Sequence, residues 1–213
     1  VQPITGAVLG LRRESKQPQK EAITPPPDQV VLLVQNEAGY MCLMDLLSRA
    51  YLHTDAGESP QIGFDDLKEC NEGLILLTGG VAGPVGRFLG EGQAPDAEEV
   101  LLRLANMFPG RIYMELQRHG LVKEDEIEDD FIDLAYKHDI PLVATNDCHF
   151  PERDMFEAHD ALICIAEGSY VSEDDRRRLT PEHYFKSQAE MAELFADLPE
   201  ALENTIEIAK RCA

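Results

Sequence analysis

Residues 111–150 read RIYMELQRHGLVKEDEIEDDFIDLAYKHDIPLVATNDCHF, and their periodicity changes twice. RIYMEL (Arg111–Leu116) and PLVAT (Pro141–Thr145) are short apolar runs of strand length. Between them, Glu124–His138 places Ile127, Phe131, Leu134 and Ala135 on one helical face. Two strands joined by one amphipathic helix and short loops read as a βαβ unit with parallel strands.

Toward the amino terminus the same order of events recurs. LILLT (Leu74–Thr78) ends in Gly79-Gly80 and is followed by helical pattern from Pro84 and again over Asp96–Met107. VVLLV (Val30–Val34) reads as a strand buried on both faces. Asn36 then caps a helix over Glu37–Leu52, on which Tyr40, Leu43, Met44, Leu47 and Tyr51 recur at helical spacing. Arg12–Pro27 is polar, carries Lys16, Lys20 and the run Pro25–Pro27, and reads as an exposed connection. The opening VQPITG reads as the middle of a strand entering a glycine turn. Because Val1 is not a start methionine, the chain is expected to be a fragment lacking its amino-terminal part. Toward the carboxyl terminus, helical stretches at Glu152–Ile165, Gln188–Leu194 and Pro199–Arg211 follow without a strand between them. Ser172–Phe185 reads as an irregular linker with a short helical turn after Pro181. The expectation is an α/β fold with a parallel sheet and helical crossovers, either doubly wound or a barrel.

At 213 residues the chain has room for one large domain or two small ones, and its 44% hydrophobic and 28% charged residues suit a folded globular protein. No apolar run approaches the about 18 residues that span a bilayer, and no signal peptide opens the chain, so neither insertion nor secretion is expected. The formal charge of −21 repels phosphate backbones and argues against this segment gripping nucleic acid. The five cysteines are scattered and form no CxxC pair, which suits reduced thiols in a cytosol.

In parallel α/β folds functional groups gather at the carboxyl ends of strands, which singles out Asn146-Asp147-Cys148-His149. Asp147 and His149 are two apart, so in an extended terminus both point the same way. They are either a carboxylate–imidazole pair able to ligate Zn or Mn, or a helix cap and a backbone-bonded ring. Glu115 and His119, at a second strand end, read as a ligand or acid/base group or as a polar rim under a loop, with the rim preferred. His159 reads as a packing or capping residue of its helix. EDEIEDD (Glu124–Asp130) lacks the spacing and glycine of a calcium loop and reads as a solvated first helical turn. The glycines after LILLT have neither the Lys-Ser/Thr nor the GxGxxG spacing of a nucleotide loop. The basic run Arg176–Arg178 is largely offset by the three acids before it.

Several blocks together carry a resemblance. NEAGYMCLMDLLSRAYL, EGLILLTGGVAGPV, ELQRHG, IPLVATNDCHF and EAHDALICIAEG resemble, in order, the PHP (polymerase and histidinol phosphatase) domain of bacterial replicative DNA polymerase III alpha subunits. The tail KSQAEMAELFADLPEALENTIEIAKRC resembles the stretch leaving that domain toward the polymerase. VQPITG and SEDDRRRLTPEH are most similar to the alpha-proteobacterial branch.

The resemblance implies a distorted seven-stranded (βα) barrel, incomplete at its amino terminus, over residues 1–165, and a mainly helical linker over 166–213. It also implies a metal cluster at the strand ends in members that hold metal. Three positions where the family places ligands carry Val8, Gln29 and Gly80 instead, and only Asp147 and His149 match. Valine and glycine offer no side-chain ligand and glutamine a poor one, so the expectation is a degenerate site in which Asp147 and His149 survive as a vestigial metal pair. No catalytic residue and no cofactor are expected here, with Zn or Mn as the alternative. The implied function is a scaffold that docks a proofreading exonuclease subunit and other replicase subunits in the cytoplasm. Mg-dependent nucleotidyl transfer, the sliding clamp and primer–template DNA would belong to parts outside this segment. The alternative is a metal-dependent phosphoesterase or 3′–5′ exonuclease.

Overall fold

A computed structural model describes residues 2–13, 25–55 and 57–212. Val1 and most of the Arg12–Pro27 connection, residues 14–24, lie outside the described residues. In chain order the elements are β1 (Gly6–Leu11), β2 (Asp28–Val34), α1 (Glu37–Leu52), β3 (Gln61–Ile62), α2 (Phe64–Glu69), β4 (Leu74–Leu77), α3 (Pro84–Gly90) and α4 (Ala94–Met107). Then follow β5 (Ile112–Leu116), α5 (Val122–Lys137), β6 (Leu142–Ala144), α6 (Phe156–Glu167), α7 (Gln188–Leu194) and α8 (Pro199–Arg211). Short 3₁₀ turns sit at Gly80–Ala82 and Arg153–Met155.

Among the described residues the strands form one sheet in the order β3-β1-β2-β4-β5-β6, and the sheet they make does not close on itself. The fold is α/β, as expected, but the sheet is mixed. β4, β5 and β6 run parallel, and β1 and β3 run parallel, while β2 is antiparallel to both β1 and β4. β1 and β2 pair continuously from Gly6↔Leu33 to Leu11↔Asp28, so the chain reverses between them instead of crossing over. Gly6 therefore opens a strand and does not end one at a turn.

One face of the sheet carries the main core: Leu9, Leu11, Val30, Leu32, Leu76 and Met114 pack there against α1, α3, α4 and α5. The other face is lined by Ile75, Leu77, Tyr113 and Val143 and is covered by Ile208 and Cys212 at the end of α8. Val31 and Leu33 are only half-buried against this second cluster, so β2 is buried on one face rather than two. α8 is held there by Asn204, whose amide donates to the Leu142 carbonyl at 2.8 Å, and by Arg211 on the Tyr113 hydroxyl at 2.8 Å.

α1 has the expected bounds and the expected cap, with the Gly39 amide donating to Asn36 Oδ1 at 3.0 Å. Its buried face is rotated from the expected one. Gly39, Leu43, Leu46 and Ala50 face the core, while Tyr40, Met44 and Tyr51 are exposed. The cause is backbone approach. A β-carbon on Gly39 would stand 1.9 Å from the Gly73 carbonyl oxygen, so this stripe is the only one that lets α1 lie against the chain entering β4.

That contact yields a stability contrast. G39A should destabilise the protein by about 1–3 kcal/mol, because the opposing atom is backbone and cannot rotate away. M44A on the exposed face should change stability by less than about 0.5 kcal/mol. Urea unfolding of the two variants measures the difference.

Candidate functional site

At the carboxyl ends of β4, β5 and β6 the structure gathers a set of polar side chains. Glu115, in the last turn of the pleat of β5, is 3% exposed. Its carboxylate accepts the Thr145 hydroxyl at 2.6 Å and the Gly79 amide at 3.0 Å, and its own amide donates to Thr78 Oγ1 at 3.0 Å. Gly79 presents that amide from a left-handed conformation (φ 79°), where a β-carbon would strike the Gln29 carbonyl oxygen at 2.1 Å. Burial first, and then the neighbouring Asp147 charge, push the Glu115 carboxyl above its ordinary value.

His119 is 2% exposed and uses both ring nitrogens. Nδ1 lies 2.8 Å from Glu124 Oε1, and Nε2 accepts the Asp147 amide at 3.3 Å, a pattern that places the proton on Nδ1. The Glu124 carboxylate also accepts the amides of His119 at 2.6 Å and Leu121 at 3.2 Å. Burial pushes the Glu124 carboxyl up, but the hydrogen bonds from the His119 ring and amide outweigh it and hold the group below its ordinary value. Glu124 is thus a buried keystone of the β5–α5 turn, whereas its neighbours Asp125 and Glu126 are solvated as expected of a first helical turn.

Asp147 and His149 meet, with His149 Nε2 3.0 Å from Asp147 Oδ2. The pair is at the surface, the Asp147 side chain being 57% exposed. The helix that follows takes no side-chain cap from Asp147. Within Ser172–Phe185 a turn stands at Pro181-Glu182, closed by the His183 amide donating to the Thr180 carbonyl at 3.3 Å. The segment folds back over the strand ends, pairing Tyr184 with Phe150 and seating His183 beneath. The His183 ring stacks on His119 with centroids 3.9 Å apart and planes 13° apart. Burial, and then the His119 ring, pull the His183 imidazole down to about 4. The His149 ring lies 5.5 Å from His159 and 5.8 Å from His183, so four histidines share one end of the sheet. His159 belongs to this ring cluster, and its buried Nδ1 has no hydrogen-bond partner. Thr180 fastens the loop by donating its hydroxyl to the His119 carbonyl at 2.7 Å.

Glu115 and His119 are therefore not a rim. The basic run also divides: Arg176 is a buried side chain that grips Asp160 of α6 through two bonds of 2.6 Å, and it is this partner, not the preceding acids, that balances it. Arg118 ties the mouth to the carboxyl-terminal helices. It reaches Glu128, Asp197 and the Leu194 carbonyl and lies 4.7 Å over the Phe195 ring.

The positions occupied by Val8, Gln29 and Gly80 belong to the same neighbourhood. Val8 pairs with Val31, Gln29 lies two residues before Val31, and Glu115 lies two after Tyr113, so all three share the second sheet face, and Gly80 follows the end of β4. No carboxylate or imidazole is supplied from those positions. Glu115, His119 and Glu124 are hydrogen-bonded within the protein while His159 Nδ1 is left without a partner, and among the described residues no group of three or more His, Cys, Asp or Glu is placed to hold a metal ion. The donor set does not fit a multinuclear centre. The cleft touching Glu115 and Glu124 has a cavity volume of about 20 Å³, room for little more than a water molecule.

Of these residues, His183, Thr180, Thr145 and the role of Glu124 were not legible in the sequence. Glu124 stands three residues after Leu121, and a leucine in the cap position hides the Ser/Thr-x-x-Glu signature of a capping box. His183 lies 64 positions after the ring it stacks on, and spacing carries no signal over that distance.

Comparison with known proteins then places the chain. A model of the PHP domain family matches residues 1–119. The whole chain is 45% identical over 213 residues to the DNA polymerase III subunit alpha of Caulobacter vibrioides, 40% to that of Pseudomonas aeruginosa and 38% to that of Escherichia coli K12. It spans 18% of the length of each. Among the described residues no helix is long and apolar enough to cross a membrane.

The buried Glu124 bonds set a pH dependence. A carboxyl held below its unfolded value stabilises fully above about pH 4.3 and loses that contribution as pH falls through its lower folded value. E124Q should lower stability at pH 7 by about 1–3 kcal/mol and flatten the acid limb of the stability profile below about pH 4.5. Denaturant titrations across pH 3–7 measure both.

Proposed function

The chain belongs to the PHP domain family, and on that footing we propose that it is the PHP module of a bacterial DNA polymerase III alpha subunit, acting as a scaffold without a resident metal. The relatives' names support the parent protein. The observation that carries the scaffold reading is the closure of the strand-end network: Glu115, His119 and Glu124 spend their polar atoms on Thr145, Gly79, Leu121 and Asp147. A site built to hold an ion leaves such atoms pointing at it. Val8, Gln29 and Gly80 support the same reading from the positions where ligands are expected.

On this proposal the parent chain works in the cytoplasm and adds deoxynucleotides to a primer, using Mg held by parts outside this segment. The module braces that body and docks the proofreading exonuclease subunit among other replicase subunits. The net charge of −21 agrees with a module that borders DNA without gripping it. Asp147 and His149 are then a hydrogen-bonded surface pair, not a ligand set. The competing reading is a metal-dependent phosphoesterase or exonuclease, favoured by the convergence of four histidines at one end of the sheet.

Elemental analysis of the purified full-length protein, run beside primer extension and hydrolysis of a phosphoester substrate, separates the two. The expected result is primer extension, zinc and manganese well below stoichiometric, and no metal-stimulated phosphate release. Stoichiometric zinc or manganese with metal-dependent hydrolysis would overturn the scaffold and establish the hydrolase.

A further inference from the structure

α1 carries apolar side chains on two faces. Gly39, Leu43, Leu46 and Ala50 lie on the core, while Tyr40, Met41, Met44, Tyr51 and Leu52 point away from it. Met44 stands four residues after Tyr40 and Tyr51 seven after Met44, so these side chains form one stripe along the helix. Met41 is 63% exposed, Tyr51 70% and Leu52 78%. The contact of Gly39 with Gly73 already fixes how α1 lies on the sheet, so the fold makes no use of the outer stripe. Apolar surface gathered in this way on a folded protein marks a contact surface.

One border of the stripe is acidic. Asp45 follows Met41 by four residues and Arg49 precedes Leu52 by three. Arg49 gathers Asp45 at 2.9 Å, Asp66 at 3.1 Å and Glu69 at 2.9 Å. Three carboxylates around one guanidinium leave negative charge in excess, and Asp45 and Glu69 stay open to solvent. Glu37 adds a further carboxylate in the first turn of the helix. Such a surface is complementary to a helix that has aliphatic side chains on one face and Lys or Arg beside them. Met41 and Met44 suit that occupant, because a flexible thioether adapts to the side chains laid on it. A second copy would bring the same acidic border and a like net charge of −21, and an anionic bilayer would be repelled in the same way.

We propose that the outer face of α1 is the docking surface for a basic amphipathic helix of a partner protein. Its aliphatic side chains pack on Tyr40, Met44 and Tyr51, and its Lys or Arg side chains meet the carboxylates of Asp45 and Glu69. This surface rests on the docking-scaffold reading and gives it a place on the molecule and a partner chemistry.

The test uses the full-length polypeptide that carries this chain, assembled with its partner subunits, with photoreactive benzoylphenylalanine in place of Tyr51. After irradiation, peptide mapping should find Tyr51 joined to a segment of another chain that has net positive charge and apolar residues three or four apart. M44E and D45K should each cut that yield about tenfold, and M44L should retain it. Met44 and Asp45 are exposed, so the thermal midpoints should stay at the wild-type value. A crosslink to a second copy, to the same polypeptide, to lipid or to an acidic segment overturns the proposal, as does a yield that D45K leaves unchanged. If the polypeptide keeps its partner subunits through gel filtration and Tyr51 crosslinks to none of them, this surface fails while the docking scaffold stands. If it keeps none, the docking reading fails with it. The crosslink in the otherwise wild-type chain decides even where a variant does not fold.

Discussion

The Glu124 carboxylate, closed off from water at the start of α5, receives the ring N–H and the amide of His119, and the rest of the strand-end region is arranged on that bond. A buried carboxylate is tolerated only where its lone pairs are met, and here three protein donors meet them. Because Nδ1 of His119 is committed to Glu124, Nε2 is left as an acceptor, and it takes the Asp147 amide from the chain leaving β6. The His183 ring lies flat on the same imidazole, and Thr180 holds the same residue's carbonyl. One histidine thus joins β5, α5, the β6 end and the returning loop.

This closure sets what the region can do. Hydrogen bonds in a water-poor interior are strong, and a polar atom left without one is costly. Withdrawing Glu115 or His119 to serve a ligand would strand the Gly79 amide, the Thr145 hydroxyl or Glu124. Glu115, His119 and Glu124 are thus engaged within the protein, while Asp147 and His149 at the rim are hydrogen-bonded to each other where solvent reaches them. The same logic extends outward through Arg118 and Arg176, each a cation sheltered by bidentate carboxylates that fastens a later segment to the barrel-like body.

Much of the secondary structure was legible because it depends on neighbours in sequence. The strands at Leu74, Ile112 and Leu142 and the helices at Glu37, Ala94, Val122, Gln188 and Pro199 follow from apolar period and caps. The two-residue β3 and the six-residue α2 escaped because nothing so short repeats. The direction of β2 escaped because strand polarity is settled by pairing, and Gly6↔Leu33 to Leu11↔Asp28 is a tertiary fact. The buried stripe of α1 was misread because Tyr40, Met44 and Tyr51 carry large side chains with apolar surface and Gly39 carries none, yet only Gly39 fits against Gly73.

Of the site, Asp147 and His149 were visible from their spacing after a strand, and the lack of donors at Val8, Gln29 and Gly80 from the identity of the residues alone. Sequence by itself determined the fold class, the acidic character and the family resemblance, because composition, periodicity and ordered blocks survive without coordinates. Only the tertiary structure decided that Glu115 and His119 are buried, that Glu124 anchors His119, and that His183 returns to stack. Those are contacts between residues from 5 to 64 positions apart along the chain. Burial and hydrogen-bond partners are properties of packed space, and one-dimensional spacing loses them once the chain turns.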